Sequence, residues 1–151
     1  MVHATLTDRE KAFVLRMRAA RLATADEQGR PHVVPICYAF DGTHFYTPLD
    51  EKPKRVEGTK LRRVRNIEAR HEAALLIDQY DDDWSQLGYL LLHCKAELII
   101  SGDERHTKAI ALLRTRYVQY QTMALEQYPA IMLTPERVTA WGPALVGETP
   151  P

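Results

Sequence analysis

The sequence predicts a mainly β fold, a small β-barrel decorated with helices. Two observations carry that reading. About seven short strand-like segments alternate with turn signals at near-regular spacing: Asp26-Glu27-Gln28-Gly29, Asp41-Gly42, Asp81-Asp82-Asp83 and Ser101-Gly102. Three further stretches repeat their apolar residues at helical spacing. A chain of 151 residues with 45% apolar content can build one core, so residues 1–151 read as a single domain.

Thr7-Asp8-Arg9-Glu10 is a capping box, in which the Thr7 hydroxyl accepts from the Glu10 amide and the Glu10 carboxylate accepts from the Thr7 amide. Phe13, Val14, Met17 and Ala20 follow at helical spacing, giving a first helix to about Ala20. Residues 21–25 form a short strand, and Gly29 closes the turn after it. Residues 32–40 form a second strand, in which Pro35 lacks an amide donor and calls for an edge or a bulge. Asp41-Gly42 then signals a hairpin into a strand at 44–47.

Residues 49–59 read as an irregular loop broken by Pro53 and Gly58, with Pro48 just before it. Residues 60–69 are helix-compatible, with Leu61, Val64 and Ile67 as the apolar side. Strands follow at 73–78 and 89–100, then a helix from Glu104 to about Gln127 with Ile110, Leu113, Tyr117 and Tyr120 on one stripe. That stripe reads as core or subunit interface. Two final strands, 131–133 and 138–141, flank Thr134-Pro135-Glu136, and the tail from Pro143 reads as frayed.

Charge and composition exclude several function classes. Twenty basic residues balance twenty acidic ones, and the sequence pI is about 7.0, which argues against general affinity for nucleic acid or membrane surfaces. The longest nearly apolar stretch, residues 88–92, suits a strand and not a bilayer span. The first residues lack a basic segment followed by an apolar one, so Cys37 and Cys94 are expected as reduced, mid-strand thiols of a cytoplasmic protein. Neither the cysteines nor the six histidines fall at metal-ligand spacing, and Gly-x-Ser-x-Gly, Walker and dinucleotide fingerprints are missing.

Two leads remain. Between Lys52 and Arg70 stand eight cations against Glu57 and Glu68. Such a field suits a small anion, a phosphate above all, although a solvated helix face has the same composition. Lys60, Arg62 and Arg63 are close enough along one turn to converge on that phosphate. A nucleic-acid surface is the rival use, weakened by the neutral total and by the lack of interleaved aromatic residues. The second lead is Asp82-Asp83-Trp84-Ser85, where a ring face and a hydroxyl can cover a planar ligand; the plainer reading has Trp84 folded back onto the barrel.

Taken in order, Arg21-Leu22-Ala23-Thr24, Gly29-Arg30-Pro31-His32-Val33-Val34-Pro35, Phe45-Tyr46-Thr47 and Arg63-Val64-Arg65-Asn66-Ile67 resemble the pyridoxamine 5′-phosphate oxidase-like split-barrel flavoproteins. Asp82-Asp83-Trp84-Ser85 is similar to the branch that binds the deazaflavin coenzyme F420. The resemblance covers about Leu6 to Gly142. It implies a six- or seven-stranded split barrel, a homodimer, and two FMN or F420 cofactors in grooves at the subunit interface. It places the cofactor phosphate on Arg63, followed by Asn66, with Lys60 one turn earlier and the hydroxyl of Thr47 opposite. His32 points toward the ring region, Trp84 and Ser85 reach the cofactor of the other subunit, and Lys52 belongs to the cationic loop.

Two departures stand out. Most relatives have Lys where Arg63 stands, and their preceding loop is shorter than residues 50–59, so Lys52, Lys54 and Arg55 are additions. The Arg-x-His-type carboxy-terminal segment of true oxidases is missing, which argues against pyridoxamine phosphate as substrate. The expected function is hydride transfer between the bound cofactor and a small organic molecule, with no side chain assigned as acid or base; a non-catalytic carrier of flavin, deazaflavin or haem is the alternative.

Overall fold

Helix α1 (Asp8–Arg16) begins where the capping box puts it, with Glu10 N donating to Thr7 Oγ1 at 3.2 Å and Thr7 N donating to Glu10 Oε1 at 2.9 Å. Such a cap contributes about 1 kcal/mol. The structure, a computed structural model, describes residues 2–49 and 61–145. Helix α1 ends four residues before the expected Ala20 because distant donors take its last carbonyls. Arg116 donates to the carbonyls of Leu15 and Met17, and the Tyr38 hydroxyl lies 2.6 Å from the Val14 carbonyl. Ala20 therefore opens strand β2 (Ala20–Ala25), where it is fully buried.

Strand β1 (Val2–His3) precedes α1 and pairs with the last strand of the chain. Strand β3 (Pro31–Ile36) pairs with β2 alone, so Pro35 sits on a sheet edge, where no ladder bond is lost. The expected strand over 32–40 is divided. Strand β4 (Ala39–Phe40) leaves β3 and pairs with β5 (Phe45–Pro48) across the Asp41-Gly42 hairpin. Asp41 holds that hairpin by accepting from the amides of Thr43 at 2.8 Å and His44 at 2.6 Å.

After helix α2 (Arg62–Arg70) come β6 (Glu72–Gln79), β7 (Gly88–Ile99) and β8 (Ala130–Trp141), and all pairings are antiparallel in the order β3-β2-β6-β7-β8-β5-β4. Strands β3 and β4 thus lie at opposite ends of that order, yet only Cys37 and Tyr38 separate them. Three Cα steps span at most roughly 11 Å. The sheet must curl until its edges approach, which makes it a split barrel. Cys37 belongs to this crossover and is half-buried, not mid-strand as expected, whereas Cys94 is buried within β7.

The two final strands expected from the sequence are one strand. Cys94 pairs with Pro135 and His93 with Arg137, so Glu136 is the extra residue of a bulge that absorbs the missing proline amide. Helix α3 (Glu104–Arg116) is shorter than expected. Its chain turns extended at Tyr117 and continues as short 3-10 turns at Val118–Thr122 and Leu125–Gln127. The Tyr117 hydroxyl accepts from the Tyr38 amide at 3.2 Å, and Arg114 donates to the carbonyls of Tyr120 at 3.1 Å and Met123 at 2.7 Å. The apolar stripe is therefore core, but on two elements.

Helix α2 (Arg62–Arg70) sends Val64 and Ile67 into the barrel, and His71, left-handed at φ 54, accepts from the Ala96 amide at 2.9 Å to fix the helix on β7. Leu22, Leu75, Leu92 and Val138 stand side by side on four neighbouring strands and are fully buried. Each contributes about 1.5–3 kcal/mol. The next row, Arg21, Leu76, Leu91 and Thr139, faces the opposite side of the sheet. Among the described residues no helix is long and apolar enough to cross a membrane.

Candidate functional site

Helix α2 starts under electrostatic tension. Its N-cap is Leu61, which makes no side-chain cap, and its first turn contains no acid but does contain Arg62 and Arg63. Two cations beside the positive end of the helix dipole each cost about 0.3–1 kcal/mol, where an anion would gain as much. The first amides of the helix have no partner within it and can serve as donors to such an anion.

Arg63 lines a cleft of about 220 Å³ together with Thr47 and Pro48 from the end of β5, Pro35 of β3, Cys37 of the crossover and Tyr120. Sequence neighbours do not bring Arg63 and Thr47 together; the barrel does. Thr47 is buried and Arg63 half-buried, so a forked guanidinium and a hydroxyl share a partly desolvated space. Nearby on β3, the buried Nδ1 of His32 has no hydrogen-bond partner. Burial, and then the charges of Arg62 and Arg63, hold the imidazole below its usual titration range, so it is neutral at pH 7.

Arg62 does not share this cleft. It lines a second one, of about 520 Å³, with Arg65, Asn66 and Ala69 of α2 and the turn Asp26–Arg30. The expected convergence of Arg62 and Arg63 on one phosphate is thereby corrected: consecutive helical positions point about 100° apart, and the helix divides them. Lys60 and Lys52, like Lys54 and Arg55, lie outside the described residues. Asn66 is buried and its Nδ2 donates to Thr24 Oγ1 at 3.0 Å, tying α2 to β2. The Asp26 carboxylate is held low by Arg30, whose Nε donates to it at 2.7 Å, and by the amides of Gln28 and Arg30.

Trp84 and Ser85 sit in the turn between β6 and β7. The register of those strands runs from Glu72 opposite Lys95, beside α2, to Gln79 opposite Gly88, beside the turn. Seven steps of strand separate the two ends by roughly 23 Å, and neither Trp84 nor Ser85 lines the Arg63 cleft or the Arg62 cleft. Trp84 is 70% exposed, which overturns the reading that folds it back onto the barrel. Ser85 donates from its amide at 3.1 Å and its hydroxyl at 2.7 Å to Asp83, which presents the indole without covering it.

A third depression, of about 330 Å³, lies over β2, β6 and β7, with Ala23 and Ala74 as floor and Glu72, His93 and Glu136 around it. Cys94 borders it, but burial, followed by the charge of Glu136, pushes its thiol up to about 12, so it is no nucleophile. No cluster of three or more His, Cys, Asp or Glu suited to a metal occurs among the described residues. Sequence reasoning missed Cys37 and Tyr120 as walls of the Arg63 cleft. Tyr120 carried only an apolar-stripe signal, and nothing local marked Cys37.

The pyridoxamine 5′-phosphate oxidase family model matches residues 6–142. No curated protein matches the chain. Among solved structures, a conserved hypothetical protein from Mycobacterium tuberculosis superposes with a TM-score of 0.74 at 18% identity, covering 97% of this chain and 91% of its own. A haem storage protein from Vibrio cholerae gives 0.67 at 17% identity, covering 87% and 90%. An F420 reductase gives 0.64 at 21% identity, covering 89% and 98%. At these identities the likeness is one of fold.

Proposed function

Because the chain belongs to the pyridoxamine 5′-phosphate oxidase family, we propose that it binds FMN or the deazaflavin F420 by its phosphate and acts as an oxidoreductase on a small organic substrate. The observation that carries this reading is that Thr47 and Arg63 line one cleft beside the uncapped start of α2. The donor set fits a phosphate: a fork of guanidinium donors, a hydroxyl, amides with no partner inside the helix, and a helix end of matching sign. Lys60 and Lys52 add cations to it in this reading, and Asn66 holds α2 in place.

When bound, the cofactor supplies the hydride chemistry; the chain binds its head, orients it and shields it from water. His32, neutral and with Nδ1 unengaged, offers the ring region one donor or one acceptor. No side chain is assigned as acid or base. The Tyr38 hydroxyl, raised far above its usual range by burial, is committed to the end of α1.

A second copy of the chain completes the site in this reading. The outward row containing Leu76 and Leu91, both half-buried, is flanked by Tyr89 stacked on Trp141 at 5.7 Å and by the exposed Val2 and Val33, with the Arg21–Asp78 ion pair at its side. Trp84 and Ser85 of one copy then reach the cofactor of the other. Light scattering should return the mass of a dimer.

A carrier without turnover is the second reading. Its haem form is favoured by His93, an exposed imidazole beside the 330 Å³ depression. Titrations with FMN, F420 and haemin, read by visible absorbance, separate these cases. Substrate-dependent reoxidation of a reduced flavin or deazaflavin supports the enzyme. Binding of haemin alone supports the carrier, and binding of none of the three refutes both.

A further inference from the structure

Tyr117 does not line the Arg63 cleft, yet much of one wall hangs from it. Its hydroxyl accepts from Tyr38 N at 3.2 Å and from Arg116 Nε at 3.1 Å. The hydroxyl proton is shared between the carbonyls of Arg18 at 2.9 Å and Tyr38 at 3.0 Å. Its buried ring meets Tyr120 edge-on at 5.5 Å, with the guanidinium of Arg18 over it at 4.7 Å, and its carbonyl accepts from Tyr120 N at 3.1 Å. Each partner is a residue of the cleft wall or the neighbour of one. Ala19 follows Arg18, Cys37 precedes Tyr38, and Tyr120 is itself a wall. The phosphate donors Thr47 and Arg63 stand on other elements, β5 and α2.

We propose that Tyr117 is a positioning residue: its hydroxyl and ring hold Ala19, Cys37 and Tyr120 at a set distance from Thr47 and Arg63, and so fix the width of the space between them. That this space takes a phosphate rests on the cofactor reading above; the hold of Tyr117 on the wall does not. The hydroxyl joins two stretches that meet nowhere else in sequence, the link from α1 to β2 and the crossover from β3 to β4. In Y117F the buried Tyr38 amide loses its acceptor, and the Arg18 and Tyr38 carbonyls lose their donor. A buried donor left without a partner favours local opening of its segment. The ring survives in that variant and still packs on Tyr120, so the loosening falls on the side of Cys37.

Two readouts on native protein, Y117F and T7A, taken well below the lowest melting temperature, test this. T7A is the control for a general loss of stability, since Thr7 caps the far end of α1. The first readout needs no ligand: alkylation of Cys37 by iodoacetamide, resolved from buried Cys94 by peptide mass spectrometry. Cys37 should react at least about fivefold faster in Y117F, with Cys94 unchanged, and at the native rate in T7A. The second is titration with FMN, which Y117F should bind at least about fivefold more weakly and T7A as native does. Should Y117F fail to fold, R116K serves, because it keeps a cation and loses the Nε donor to Tyr117; at least about twofold is then expected in both readouts. Cys37 alkylation that rises no more than in T7A would overturn the hold of Tyr117 on the wall. Faster alkylation with native FMN affinity would overturn its positioning role. A native protein that binds no FMN removes the cofactor reading, and the alkylation comparison then decides the hold of Tyr117 by itself.

Discussion

Replacing Arg63 by Gln should weaken FMN binding by about ten- to a hundredfold. The side chain is half-buried in a cleft that it shares with Thr47, so its bonds to a phosphate would form in a partly dry environment. Hydrogen bonds to charged groups contribute about 1.5–3 kcal/mol, and 1.4 kcal/mol corresponds to one factor of ten. Arg63→Lys keeps the charge but not the fork, so its loss should fall between native and R63Q. The sign for the helix itself is opposite: removing a cation from its first turn relieves about 0.3–1 kcal/mol of repulsion with the dipole. Fluorescence-quenching titration with FMN at two ionic strengths measures the affinity and its salt slope, and thermal unfolding checks the variant. R105Q is the control, since Arg105 is exposed and paired with Glu97 and Asp103 instead. If R63Q binds FMN within a factor of two of native, or loses no more affinity than R105Q, the phosphate assignment is wrong.

His32 should titrate below its ordinary value of 6.5 in the ligand-free protein, as NMR of its ring protons would show. The unfolded chain then binds that proton more tightly than the folded one, so the contribution to stability is present above pH 6.5 and is lost as pH falls through the lower folded value. A dianionic phosphate bound at Arg63 should move the titration upward, and no movement on saturation with FMN would count against a phosphate held beside His32. Asn66→Ala should cost about 1–3 kcal/mol by chemical denaturation, since it strips a buried bond from Thr24 and loosens α2 from β2. Gly142→Ala should cost about 2 kcal/mol or more, because Gly142 holds φ +100 and an added Cβ would meet the Leu87 carbonyl oxygen and lie 2.8 Å from Gly88 Cα. An unchanged melting temperature in that variant would contradict the backbone contact between the start of β7 and the end of β8.

Where a feature depends on residues within about four positions, it was legible from the chain alone. The Thr7 and Glu10 cap, the Asp41-Gly42 hairpin and the edge position of Pro35 are of this kind, whereas Leu75, Leu76 and Ile77 are all apolar and only the sheet buries the first and third and turns Leu76 to the other face. The ordered motifs from Arg21 to Ile67 also led to the right family, matched over residues 6–142. The basic stretch pointed to α2 as a place for anions, but its composition could not assign the arginines to sides.

What only the tertiary structure decided are the features whose partners arrive from far along the chain. Helix α1 stops at Arg16 because Arg116 and Tyr38 claim its last carbonyls, and α3 stops at Arg116 because Tyr117 turns to meet Tyr38, 79 residues away. Periodicity ran on through both ends, since it reports which residues are buried and not which element buries them. The bulge at Glu136 depends on pairing with β7, and Arg63 meets Thr47 because a curled sheet closes the distance between β5 and α2. A linear sequence holds the local hydrogen-bond preferences and the apolar periodicity; closure of the sheet sets which distant donors and acceptors become neighbours, and the candidate site is made of such neighbours.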